Sequence, residues 1–118
     1  MDKKAKTRGN CIISDEVIAT IACAAAKEVP GVAEMASRPS ELKTLILSGA
    51  QRSVAVSRRE STIALDVYIT IKVDGKIQEI ATAVQQNVKS AVQAMTESPV
   101  TRVNVHIAGI DLEQNTAQ

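Results

Sequence analysis

At 118 residues, with 14 Lys and Arg against 13 Asp and Glu for a net charge of +1, the chain is the size of one domain and has no overall field to draw it to a polyanion. Hydrophobic residues make up 45%, but Phe and Trp are absent and Tyr68 is the one aromatic, so the core must be built from Val, Ile, Leu and Ala. The same composition removes the stacking rings on which single-stranded nucleic-acid and sugar sites rely.

Lys3, Lys4, Lys6 and Arg8, opposed only by Asp2, predict a disordered basic tail over residues 1–9, a solubilising segment or a weak anchor on anionic lipid or RNA. Cys11 to Ile13 reads as a short strand, and its apolar run is too brief for a secretory signal. Ser14 is a good helix N-cap followed by Asp15 and Glu16, and Ile13 and Ile18 take the positions of a hydrophobic staple. Val17, Ile18, Ile21, Ala22 and Ala25 share one face of the helix that follows, which Pro30 and Gly31 end near Glu28. The apolar run from Val17 to Ala26 is about half of the roughly twenty residues a membrane span requires. No transmembrane segment is therefore expected, and the chain is predicted to be cytoplasmic.

Val32 to Ala36 is a second strand, broken by Arg38-Pro39-Ser40, and Glu41 to Ser48 fits a short helix or a packed loop equally well. Ser53 to Arg58 is expected to turn at Arg59-Glu60 into a long strand. That strand alternates Ile63, Leu65, Val67, Ile69, Ile71 and Val73 with Thr62, Ala64, Asp66, Tyr68, Thr70 and Lys72, the period-two pattern of a sheet with one buried face. After Asp74-Gly75, a helix carries Ile77, Ile80, Ala81, Val84, Val88, Ala91, Val92 and Met95 on one side and Gln78, Gln85, Gln86 and Lys89 on the other, with Pro99 ending it. The last strand points Val103, Val105 and Ile107 inward and Arg102, Asn104 and His106 outward; residues 113–118 read as a frayed tail. The expected fold is α+β, one domain over residues 10–112. It is a two-layer sandwich with a mixed or antiparallel sheet and two main helices packed on its odd-numbered face. Strand order is left open.

Chemistry is sparse. His106 is the only histidine, and alternation gives it Asn104 and Arg102 as neighbours, so it is expected to be an isolated surface imidazole. Asp66 reads as a solvated strand carboxylate that could pair with an arginine across the sheet. Cys11 and Cys23 lie twelve apart with no CxxC or HxxxH spacing, so packed thiols are expected rather than a zinc site. The five glycines are isolated from one another, with no phosphate loop and no GxxG clamp, and Arg58-Arg59 with Arg52 forms the best folded candidate for a phosphate contact. No catalytic residue, metal or cofactor is expected. If the helices cover only the odd face, the even face is open for a partner, with Asp66, Tyr68, Thr70, Arg102, Asn104 and His106 as its candidate surface.

Two stretches carry a resemblance: Ile13-Ser14-Asp15-Glu16-Val17-Ile18-Ala19-Thr20-Ile21-Ala22 leading to Val29-Pro30-Gly31-Val32-Ala33-Glu34-Met35, and Leu65-Asp66-Val67-Tyr68-Ile69 leading through the long helix to Val103-Asn104-Val105-His106-Ile107-Ala108-Gly109-Ile110. Together they resemble the alkaline shock protein family, the Gls-type general stress proteins of Gram-positive bacteria, over residues 10 to 112. Val73-Asp74-Gly75-Lys76-Ile77-Gln78 departs from the family's more usual proline-containing turn, and the Glu41 to Gln51 insert is not diagnostic. The resemblance implies a non-enzymatic protein of envelope or alkaline stress, prone to self-association as a homo-oligomer and held near the membrane by a protein partner such as a membrane anchor. It supplies no catalytic residue to transfer. The alternatives are a regulatory accessory subunit of a metabolic enzyme, such as one of lipid synthesis, and a small RNA-binding module, nucleic acid being the less expected partner.

Overall fold

The computed structural model describes residues 13–38, 49–73 and 76–111. Helix α1 spans Asp15–Lys27 and strand β1 Val32–Met35; a 3-10 turn at Gly49–Arg52 leads to β2, Val54–Arg59, and β3, Thr62–Lys72. Helix α2, Ile77–Thr96, and strand β4, Val100–Asp111, complete the order. Cys11, Ile12, the segment Glu41 to Ser48 and the Asp74-Gly75 turn lie outside the described residues, and Ile13 is not in a strand.

Each element follows from local chemistry. Ser14 is extended at φ −71° and its Oγ accepts the Val17 N–H at 3.2 Å, so one of the first-turn amides without a helical partner is satisfied while Asp15 and Glu16 sit at the positive end of the helix dipole. Ile13 packs on the core cluster that contains Ile18, as the staple requires. The buried face of α1 is Ile18, Ala19, Ala22, Ala25 and Ala26, rotated from the expected one: Val17 is 47% exposed and Ile21 only half-buried. The reason is steric, because small side chains let α1 come close to its neighbours, and the contact centres on the alanines rather than on Val17.

The long strand β3 organises the sheet. On one edge it pairs antiparallel with β2 (Val54↔Val67 to Arg59↔Thr62) and, further along, with β1 (Val32↔Ile71, Met35↔Ile69). On the other it pairs parallel with β4, from Ile63↔Val100 to Lys72↔Asp111. The sheet is therefore mixed, and the parallel pair is joined through α2, because strands running the same way need a crossover. Turn residue Glu60 has φ 52° and closes the β2–β3 hairpin. Ile63, Leu65, Val67, Ile69 and Ile71 are at most 3% exposed, whereas every even-numbered residue from Thr62 to Thr70 is half-buried.

Both helices lie on the odd face: α1 packs on α2, β1, β2 and the 3-10 turn, and α2 packs on β4. In α2 the buried stripe is Ile80, Val84, Val88 and Val92, narrower than the sequence pattern suggests; Ile77 and Met95, at the two ends of the helix, are 48% and 63% exposed. Two contacts fix α2, one to α1 and one to the turn that follows α1. Asn87 Nδ2 donates to the Ala25 carbonyl at 2.7 Å. Gly31, at φ +102°, lets Ile80 approach so closely that a β-carbon there would lie 2.5 Å from Ile80 Cδ1. No helix among the described residues is long and apolar enough to cross a membrane.

Candidate functional site

No helix among the described residues lies on the even face of the sheet, and the register decides which of its side chains meet. Ala64↔Arg102, Asp66↔Asn104 and Tyr68↔His106 are direct neighbours across the parallel β3–β4 pair. Asp66 Oδ1 accepts hydrogen bonds from Asn104 Nδ2 and from His106 Nε2, each at 3.0 Å. A carboxylate can only accept, so this contact places the imidazole proton on Nε2. The His106 ring lies flat on Tyr68, centroids 4.3 Å apart and planes 9° from parallel.

Two expectations are corrected here. His106 is not isolated: parallel pairing puts it two residues along from Asn104, which stands opposite Asp66, on the same face and within hydrogen-bond reach of that carboxylate. Asp66 pairs not with an arginine but with Asn104 and His106, while Arg102 acts on it only through its charge. Burial by itself would raise the Asp66 carboxyl; the hydrogen bonds from His106 and Asn104, with the charges of His106 and Arg102, outweigh it and hold the group below the usual carboxylate range. Tyr68 is half-buried rather than open, because His106 covers one side of its ring. Thr70 sits apart from this cluster, opposite Gly109.

The hairpin arginines separate. Arg58 leaves the turn to bind α1: its Nε donates to Asp15 Oδ1 at 2.8 Å and its Nη2 to the Ile13 carbonyl. Arg59, opposite Thr62, stays on the open face. It joins Ser57, Thr62, Ala64, Asp66, Thr101, Arg102 and Asn104 around a concavity of about 310 Å³. Chain adjacency groups Arg59 with Arg58, but a two-residue turn at Glu60 and Ser61 sets Arg59 against Thr62. Half-buried Cys23 has its Sγ 3.8 Å from the Ala50 carbonyl, and burial pushes its thiol up against the opposing charge of Lys27. Cys11 lies outside the described residues. No cluster of His, Cys, Asp and Glu among the described residues is suited to hold a metal ion.

A model of the alkaline shock protein 23 family, described by a cell envelope-related function, matches residues 3–112. The chain belongs to that family. Its relatives include the uncharacterized protein YqhY of Bacillus subtilis, 33% identical over 117 residues covering 96% of this chain and 85% of the relative. The uncharacterized protein YloU of the same organism is 36% identical over 107 residues, covering 86% of this chain and 88% of its own. Neither the family's description nor these names specifies a reaction. Among solved structures, the chain is similar to a MamM CTD in its copper form, with a TM-score of 0.52 and 15% identity over 83% of this chain and all of the other. At that identity the likeness is one of fold.

Proposed function

We propose that this member of the family is a non-enzymatic protein of the cell envelope that works by docking a protein partner on the open face of its sheet. The observation that carries the reading is the Asp66, Asn104, His106 and Tyr68 cluster: polar side chains held to one another on a sheet face, beside a half-buried aromatic ring stacked on His106. Such a surface loses little side-chain entropy when a partner arrives. The non-enzymatic reading is supported by the imidazole's commitment to Asp66 and by the lack, among the described residues, of any group of three or more His, Cys, Asp and Glu suited to hold a metal ion.

The partner in this reading is a membrane-anchored envelope protein, which would bring the chain to the membrane without a span of its own. Self-association is a second mode, favoured by the free edge of β4. Gln93 Oε1 accepts from the Val100 N–H and Gln85 Nε2 donates to the Val103 carbonyl, so α2 closes the start of that edge, while no such side-chain contact from α2 among the described residues reaches Val105 to Ile110.

The test is the pair Tyr68→Ala and Thr70→Arg, made together and checked for an intact fold by circular dichroism. Co-purification of partners from the membrane fraction should fall at least tenfold, and analytical sedimentation of the purified protein reports self-association separately. An unchanged partner set with the fold intact overturns docking on this face.

A further inference from the structure

The lower half of the open face holds a second feature, distinct from the Tyr68 and His106 end. Between Ile63↔Val100 and Ala64↔Arg102 the β3–β4 register slips by one residue, leaving Thr101 as a bulge. Without the slip, Thr101 would stand opposite Ala64 and Arg102 would point to the helices; the bulge turns Arg102 onto the open face. Across β3, hairpin pairing sets Ser57 opposite Ala64 and Arg59 opposite Thr62. Two arginines thus flank the central strand, two residues out of step along it and about 12 Å apart at the backbone, from two strand spacings across and two residues along. The floor between them is Ala64, whose small side chain leaves the concavity of about 310 Å³, the room of roughly ten waters.

The donors are uncommitted. Among the described residues neither the Arg59 nor the Arg102 guanidinium makes a hydrogen bond or an ion pair, in contrast to Arg58 on Asp15. Thr62 and Thr101 turn their hydroxyl protons back to the Arg59 and Ile63 carbonyls, so what faces the space is chiefly the two guanidiniums with Ser57 and Asn104. Asp66 closes the far end, its charge partly compensated by Asn104 and His106.

We propose that the concavity between Arg59 and Arg102 binds a phosphate monoester group. The preference over a carboxylate is one of count. A carboxylate has two oxygens and one charge, which a single bidentate arginine answers; two opposed guanidiniums match three terminal oxygens and a charge between about −1.5 and −2. The same group is presented by a soluble phosphate ester and by the headgroup of phosphatidic acid. The inference goes beyond the docking reading and does not need it, because Tyr68 lies outside the concavity and Tyr68→Ala leaves it whole.

The probe is glycerol 3-phosphate, titrated into the full chain while the arginine Nε–H resonances are followed by NMR, with acetate as the carboxylate control. Saturable shifts at Arg59 and Arg102 are expected, weakened about tenfold or more in Arg59→Gln or Arg102→Gln, absent in the double variant, and within about twofold of wild type in Lys89→Gln, which removes one charge from α2. Co-sedimentation with phosphatidic acid vesicles, but not with phosphatidylcholine, that is lost in the double variant assigns the headgroup. Saturation by the soluble ester alone assigns a free phosphate ester. The proposal is overturned by a wild type that neither saturates with glycerol 3-phosphate nor sediments with phosphatidic acid, by equal affinity for acetate, or by a loss in Lys89→Gln equal to that in the arginine variants.

Discussion

At the scale of single residues, the carboxylate of Asp66 sets the character of the open face. It fixes the His106 tautomer, holds Asn104 and, through His106, positions the ring stacked on Tyr68. Because its folded pKa is depressed, the stabilisation it brings is present above the unfolded carboxylate value and is lost as pH falls through the folded one. Urea denaturation between pH 2 and about pH 5 should therefore show a flatter acid limb in Asp66→Asn than in wild type, with the curves running parallel at higher pH. In the same variant the His106 ring should lose its fixed tautomer, visible in its nitrogen chemical shifts. Gly31 is decided by geometry rather than charge. Alanine there would have to hold φ +102° and push Ile80 aside, so Gly31→Ala should cost about 2 kcal/mol or more, measured by the same denaturation.

At the scale of elements, α2 is the best test of pattern against packing. Val84 and Val88 are fully buried, so Val84→Asp places an unpaired charge in the core and should cost several kcal/mol or prevent folding. Gln86 is exposed, and Gln86→Asp should change stability by no more than about 0.5 kcal/mol. Gln85 is a different case despite its exposure, because its amide caps the Val103 carbonyl; Gln85→Asp should cost about 1 kcal/mol, the net worth of that hydrogen bond. Comparing the melting temperatures of the three variants checks both the helix phase and the edge contact. The β4 bulge belongs to the same scale. Val100 and Val103 are both buried three positions apart, a spacing that strict alternation forbids and that betrays the extra residue once it is sought.

At the scale of the whole molecule, β3 is the common member of every pairing in the sheet, and its odd face is the floor on which both helices rest. Its central amides, from Leu65 to Ile69, are bonded on both edges within the folded unit. They should exchange with solvent only by global unfolding, while the amides of β4 beyond Val105 exchange through smaller openings; native-state hydrogen exchange across a denaturant series separates the two. The layered arrangement also explains why function, in this reading, sits on the side away from the helices. The odd-numbered residues Ile63 to Ile71 of β3 are committed to the core, so a partner that meets β3 through its side chains does so on the even face.

Periodicity and contacts between residues close in the chain were enough for the order of the two helices and four strands from Asp15 to Asp111, the Ser14 cap, the hairpin at Glu60, the buried face of β3 and the class of fold, though not for the strand expected at Cys11 to Ile13, where Ile13 lies outside any strand. The sequence by itself also carried the family, in the order and spacing of its motifs. Which residues touch across strands was decided only by tertiary structure. The parallel registration of β4 on β3 puts Asp66 beside His106 across 40 residues of chain, and one slipped residue turns Arg102 toward the face that Arg59 reaches from the other side. Local patterning leaves such pairings open, since a strand's alternation says which face a side chain takes and nothing about its neighbour on the next strand. The rotated buried face of α1 has the same origin: alanine is compatible with either side of a helix, and only the partner that needs close approach chooses between them.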